Sequence, residues 1–190
     1  MLSSAWFLRL ASFAANVLFP GAPAQEPHVD YPYWDMHRPE RFPRGLNASF
    51  FLEVELLVML DDFTAENGAT ALMPHSQHRA EWPNAAEFDH KSIRVLGPAG
   101  TLLLFPALTW HAGQANRGTQ WRAALLGAYT AKFVKPLENW ERGLSPATKE
   151  ALSPRMIHLL GLDDVYPAVM DELPARSSEG TQAKEGVYGA

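Results

Sequence analysis

His28 and Asp30, in the stretch Pro-His-Val-Asp-Tyr-Pro at 27–32, stand two positions apart. On an extended chain, side chains at i and i+2 point to one face, so an imidazole and a carboxylate converge. Inside a barrel, where water is scarce, an unpaired charge is costly, and a divalent cation offsets it. The plainer reading of the pair alone is a hydrogen-bonded core histidine beside an aspartate at a barrel mouth. His111, in Ala-Leu-Thr-Trp-His-Ala-Gly at 107–113, shifts the balance, because it lies in an apolar, β-rich segment before a small-residue turn. Eleven residues on comes Arg122, an isolated charge in an apolar strand, with no acidic residue between His90 and Lys135. A guanidinium is effectively always ionised and needs a carboxylate or phosphate when enclosed. A small dicarboxylate would fit, chelating a metal at one end and pairing with Arg122 at the other. Two histidines and one carboxylate with open positions form the donor set of non-heme Fe(II) oxygenases. Three protein donors leave three of six octahedral positions, two for a chelating co-substrate and one for dioxygen.

The elements that must position these residues read mainly as β. Residues 50–63 are apolar and β-rich, and 69–78 follow a turn at Glu66-Asn67-Gly68, whose Asn-Gly suits hairpin geometry. Residues 91–100 hold a short strand and a Gly-Pro-Ala-Gly turn. Residues 101–113 read as two short strands broken at Pro106, 114–118 as a tight turn and 119–133 as a long final strand. Short strands at regular spacing, punctuated by Gly, Pro and Asn, favour a jelly roll or related barrel. From Pro136 the pattern turns helical, with a capped start at Ser145-Pro146. Residues 176–190 are Gly/Ser-rich and expected to be mobile.

At 190 residues the chain is expected to be a single domain, 1–190, with a core over about 20–134 and a helical tail over 136–175. A net charge of −5 argues against a nucleic-acid binder. The absence of cysteine excludes disulfides, zinc–thiolate sites and thiol nucleophiles, so any metal must be held by His, Asp or Glu. The apolar start, residues 1–25, ends in Ala22-Pro23-Ala24, which resembles a cleavage site, yet it lacks a basic leader and Arg9 interrupts it. It is too short to span a bilayer. Trp6, Leu10, Phe13 and Val17 recur at helical spacing, predicting an amphipathic helix that ends before Pro20-Gly21. No membrane association is expected, and the location expected is cytoplasmic.

Three stretches together resemble the phytanoyl-CoA dioxygenase family of Fe(II)/2-oxoglutarate-dependent oxygenases. They are the Pro-Gly, Gln and His-x-Asp segment at 20–34, the strand–turn–strand at 58–79 ending in Pro-His-Ser-Gln-His-Arg, and the distal histidine–arginine block at 97–130. The resemblance implies an all-β core folded as a double-stranded β-helix, a cupin-like jelly roll, here with flanking N- and C-terminal helices. It implies iron ligation by His28, Asp30 and His111, and an Arg122 that holds the distal carboxylate of 2-oxoglutarate. Trp34 falls where relatives place an aromatic near the co-substrate, and Gln25 would line the same cavity. Many relatives carry a hydroxyl residue two positions after the distal histidine; here that position is Gly113, leaving Thr101, Thr109 or water to substitute. Relatives also carry a longer segment before His-x-Asp than the 27 residues present here. The implied reaction is hydroxylation of a C–H bond in a small organic molecule, with dioxygen consumed and 2-oxoglutarate decarboxylated to succinate. The rival reading is a non-catalytic or differently metallated jelly-roll metal-binding protein.

The remaining residues read plainly. Trp110 and Trp121 are expected in the core and Asn116 in a turn; Glu53 and Glu55 share one strand face, expected to meet solvent, with facing the substrate as the alternative. His75 and His78 are expected near a turn, and His90 and His158 at the surface. His37 belongs to a Pro/Arg-rich loop, 35–45, long enough to cover a metal. The helical tail could also pack against a second copy; the oligomeric state and the substrate are not legible.

Overall fold

A computed structural model of the chain describes residues 8–30, 51–79 and 81–164. Among these described residues, seven strands form two antiparallel sheets. They are β1 (Leu8–Leu18), β2 (Glu53–Met59), β3 (Thr70–Leu72), β4 (Ile93–Arg94), β5 (Leu102–Pro106), β6 (His111–Gly113) and β7 (Arg122–Ala131). One sheet has the order β1-β7-β2-β5 and the other the order β4-β3-β6. Residues 21–30 run along the free edge of β6, with an antiparallel bridge between His28 and His111. The predicted strands therefore form, and Pro106 ends β5 as expected. The turn at Glu66-Asn67-Gly68 does not close a hairpin: it carries the chain from β2 in one sheet to β3 in the other. Gly68 has φ +82°, and a Cβ there would lie 2.7 Å from the carbonyl oxygen of Gln114, so only glycine fits.

The predicted amino-terminal helix is wrong, because that stretch is the strand β1, paired with β7 from Leu8↔Ala131 to Leu18↔Arg122. Trp6 lies outside the described residues. The register shifts between Leu10 and Ser12, as a bulge does. With one extra residue inserted, Leu10, Phe13 and Val17 all face partners of odd number, Tyr129, Gly127 and Ala123. A bulged strand thus mimics the three-then-four spacing of a helix. The charge that interrupts the run is no intrusion either. Arg9 is buried, pairs with Asp164 and donates to the carbonyl of His158 at 2.6 Å.

The predicted helical tail appears as α2 (Trp140–Gly143), α3 (Pro146–Glu150) and α4 (Pro154–Leu160). Ser145 and Ser153 cap the last two, each with proline in the first turn. Trp140 Nε1 donates to the carbonyl of Leu10 at 2.7 Å, so the tail is fastened to β1. His158 is correspondingly drawn in rather than left at the surface, its Nδ1 lying 3.1 Å from Asp163. The expected mobile end, 176–190, and the tail beyond residue 164 lie outside the described residues. A further helix, α1 (Ala85–Lys91), capped by Asn84, has no counterpart in the sequence reading.

The core falls in two clusters, one between the sheets and one where Phe88 of α1 meets the face of β3 and β6 turned away from His111. Leu57, Met59, Phe63, Ala69 and Ala124 form one buried cluster; Ala71, Met73, Phe88, Trp110 and Ala112 form another. Trp110 is buried as expected, whereas Trp121 is 59% exposed. It precedes Arg122, and strand alternation sends adjacent side chains to opposite faces. Ser76, fully buried, accepts from the Trp110 backbone N–H at 2.8 Å and donates to the carbonyl of Met73 at 2.6 Å. That hydroxyl holds the approach to β6. Ser76→Ala is expected to cost about 1–3 kcal/mol, because it strands a buried N–H; urea unfolding measures it.

Candidate metal centre and its cavity

His111 opens β6, and its backbone exchanges hydrogen bonds of 2.9 and 3.0 Å with His28. Asp30 N–H donates to the carbonyl of Ala107 at 2.9 Å, extending the same edge. Sheet pairing therefore brings together residues more than eighty positions apart. The donor atoms of His28, Asp30 and His111 all lie within 4.8 Å of one another. His111 Nε2 is 3.0 Å from Asp30 Oδ2, and His28 Nε2 is 3.7 Å from Asp30 Oδ1. Donors held at about 2.1 Å from one metal and at right angles are roughly 3 Å apart, so the spacing suits a shared cation.

The rings are also oriented for one. His28 Nδ1 lies 2.8 Å from the carbonyl of Glu26, and His111 Nδ1 lies 2.8 Å from the carbonyl of Thr109. A carbonyl only accepts, so each Nδ1 must carry hydrogen, which leaves Nε2 of both rings toward Asp30 as the ligating atom. The donor set, two imidazoles and a carboxylate without sulfur, fits iron among other divalent metals. Phe105 meets the His111 ring edge-on at 5.0 Å between centroids and walls the site.

Without a metal, these groups perturb one another. Burial works against the carboxylate of Asp30, but the hydrogen bond from His111 and the charges of both histidines outweigh it and hold its pKa below the usual value. Burial likewise disfavours charged His111, yet Asp30 wins and raises its pKa above 6.5. A metal needs neutral imidazole, so protons compete with it. Metal affinity is expected to fall as pH drops through the raised His111 value, by up to about tenfold per unit for the proton displaced. Metal titration at pH 8, 7 and 6 measures this. The sign for folding of the metal-free chain is opposite: the raised histidine contributes fully below 6.5 and loses its contribution as pH rises through its folded value.

Arg122 begins β7 and is 2% exposed. Its Nη2 donates to the carbonyl of Gly68 at 2.8 Å, and its guanidinium lies 4.2 Å from the Phe63 ring centre. Among the described residues it has no carboxylate at ion-pair distance, and its Nε has no partner. Burial accordingly pulls its pKa down from the usual value. The charge of Asp61 opposes that shift only in part, and among the described residues the guanidinium has no counter-ion in contact. It lines one cavity of about 260 Å³ with His28, Asp30, His111 and Gln25.

Gln25 reaches that cavity for a definite reason. Its N–H donates to the carbonyl of Gly113, and its Oε1 accepts from Gly113 N–H at 2.7 Å. A Cβ at position 113 would lie 2.8 Å from that oxygen. The room that a side chain would take at 113 is therefore filled by the Gln25 amide. Thr101 is not brought to the cavity; it lies at the Gly97–Gly100 turn, its carbonyl accepting from Met59 N–H at 3.0 Å. Thr109 is buried with an unpartnered Oγ1. Trp34 and His37 lie outside the described residues. Asn116, in its turn, is buried and donates to the carbonyls of Leu18 and Gln120, tying the start of β7 to β1.

One participant escaped the sequence reading. Phe63 underlies Arg122, a pairing no local pattern signals. Glu53 and Glu55, expected first to face solvent and only alternatively the substrate, turn inward: Glu53 is 3% exposed and Glu55 lines the cavity. Their alternation with Leu57 and Met59 on one face of β2 was the available signal.

The sequence profile of the phytanoyl-CoA dioxygenase family matches residues 9–124. The chain belongs to the phytanoyl-CoA dioxygenase family. Among similar proteins, Rv1501 of Mycobacterium tuberculosis is 31% identical over 120 residues, covering 63% of this chain and 44% of its own length. Dioxygenase af480 of Aspergillus fumigatus is 27% identical over 177 residues, covering 87% of this chain and 52% of its own. The chain thus spans about half the length of these relatives. The solved nickel complex of ThoJ, described as a non-heme monooxygenase, shares the fold. Its TM-score is 0.50 at 18% identity, over 70% of this chain and 48% of that one.

Proposed function

We propose that this family member is an Fe(II)- and 2-oxoglutarate-dependent dioxygenase on a double-stranded β-helix, hydroxylating a C–H bond of a small organic molecule. The observation that carries the reading is the pair of histidines whose Nδ1 atoms are occupied by carbonyls while both Nε2 atoms face Asp30. Iron bound there would supply the activation of dioxygen, coupled to decarboxylation of the keto acid to succinate. His28, Asp30 and His111 would hold it. Arg122 would pair with the far carboxylate of 2-oxoglutarate, which supplies the missing counter-ion. Gln25, fixed on Gly113, would present its amide to the same cavity. Phe63 and Phe105 keep the two ends dry, which strengthens both sets of polar contacts. Relatives named as dioxygenases support this reading.

The test is succinate release from 2-oxoglutarate with Fe(II) and dioxygen, followed with and without candidate substrates. Turnover that needs both metal and keto acid is expected. A chain that binds iron but neither binds nor consumes 2-oxoglutarate would be the metal-binding protein of the rival reading.

A further inference from the structure

We propose that Glu55, backed by Glu53, is the substrate-recognition position of this cavity and takes a cationic nitrogen, the ammonium group of an amine substrate. The inference rests on the oxygenase reading above. β2 is flanked by β7 and β5, and its inward face reads Glu53, Glu55, Leu57, Met59. Two acids in the middle of a sheet's core face do nothing for packing, and burying them is costly. Among the described residues, neither meets a cation at ion-pair distance. Glu53 Oε2 is buried without a hydrogen-bond partner. Directly across the sheet from Glu53 stands Thr130, 1% exposed, and its Oγ1 is unpartnered too. Orphaned polar atoms from two strands thus share one face beside the cavity.

Placement separates this end from the co-substrate end. Glu55 lies across from Ala128 on β7, six residues from Arg122, which is roughly 20 Å of strand. On its other side it faces Phe105, whose ring touches His111. The metal donors therefore adjoin Glu55, and all of them line the one cavity, as a position for substrate requires.

Charge selects the class of group. A divalent metal, a keto-acid dianion, ionised Asp30 and Arg122 together are neutral, so the acid pair is left without a counter-ion. An ammonium group supplies that counter-ion. A neutral hydroxyl would need only an amide or hydroxyl partner. A second metal is not indicated, since His28, Asp30 and His111 form the one group of close donors among the described residues.

The experiment is calorimetric titration of the full chain, loaded with Ni(II) and 2-oxoglutarate so that no turnover occurs. The probes are hexylamine, 1-hexanol and hexanoate, matched in length. Hexylamine is expected to bind at least about tenfold more tightly than the other two, as a charge-assisted hydrogen bond implies. Glu55→Gln should abolish the preference for amine over alcohol. Equal binding of amine and alcohol, no amine binding, or a preference that survives Glu55→Gln overturns the proposal. Should Glu55→Gln not fold, Glu53→Gln and the wild-type amine–alcohol comparison decide. Failure of 2-oxoglutarate to bind would instead strike the oxygenase reading; repeating the probes on the metal-free chain then judges Glu55 separately.

Discussion

Replacing His111 with alanine is expected to lower metal affinity by at least about 100-fold and to abolish metal-dependent turnover. Even partners one step removed from a metal cost 10–100-fold when deleted, and His111 is the most buried of the three donors. The loss has two parts. One imidazole donor disappears, and Asp30, which faces His111 Nε2 at 3.0 Å, loses the group that holds it in place. His111→Gln keeps some of the bulk, yet its amide is a poorer donor and should bind metal nearly as weakly. Equilibrium dialysis against Fe(II) or Co(II) measures the affinity, with circular dichroism to establish that the sheets persist. A His111→Ala variant that binds metal as the wild type does would remove this centre from consideration.

Arg122→Met is expected to weaken 2-oxoglutarate binding by at least about 30-fold, the low end of what truncating one partner of a buried charge pair costs. The same substitution should leave the ligand-free chain at least as stable, since relief of a buried charge without a close partner offsets the lost hydrogen bond to Gly68. The two signs together are diagnostic. Arg122 is 2% exposed and lies over Phe63, and among the described residues its Nε is unpartnered and no carboxylate is at ion-pair distance, the charge of Asp61 acting from farther off. A residue kept for stability would be better served by methionine there. A residue kept for a ligand tolerates its own strain until that ligand arrives. Keto-acid titration and urea unfolding of one pair of proteins read both effects. A destabilised variant with unchanged keto-acid binding would make Arg122 a structural residue.

Much of the site was legible along the chain because its chemistry is carried by residue type. His28 and Asp30 share a face through period-two spacing, which is local, and Arg122 stood out as a lone charge in an apolar strand. The caps at Ser145 and Ser153 are local as well, and both were found at helix starts, although only the first was expected. Where the reading failed, the deciding contact was remote. The spacing of Leu10, Phe13 and Val17 cannot distinguish a helix from a strand with a bulge at Ala11; pairing with β7 settles it. Asn67-Gly68 announces a turn, but which sheet receives the next strand depends on partners far downstream. The alternation of Glu53 and Glu55 with Leu57 and Met59 names a face without saying whether it looks inward.

The sequence by itself determined the donor types, the excluded thiol chemistry and the need for a counter-ion at Arg122, because these follow from what each side chain can ionise or ligate. Only the tertiary structure decided that β6 carries His111 to the edge where His28 and Asp30 wait, that Gln25 fills the space above Gly113, and that two glutamates face the cavity. Those are outcomes of sheet order and register, and a slip of one residue would turn every one of these side chains to the other face.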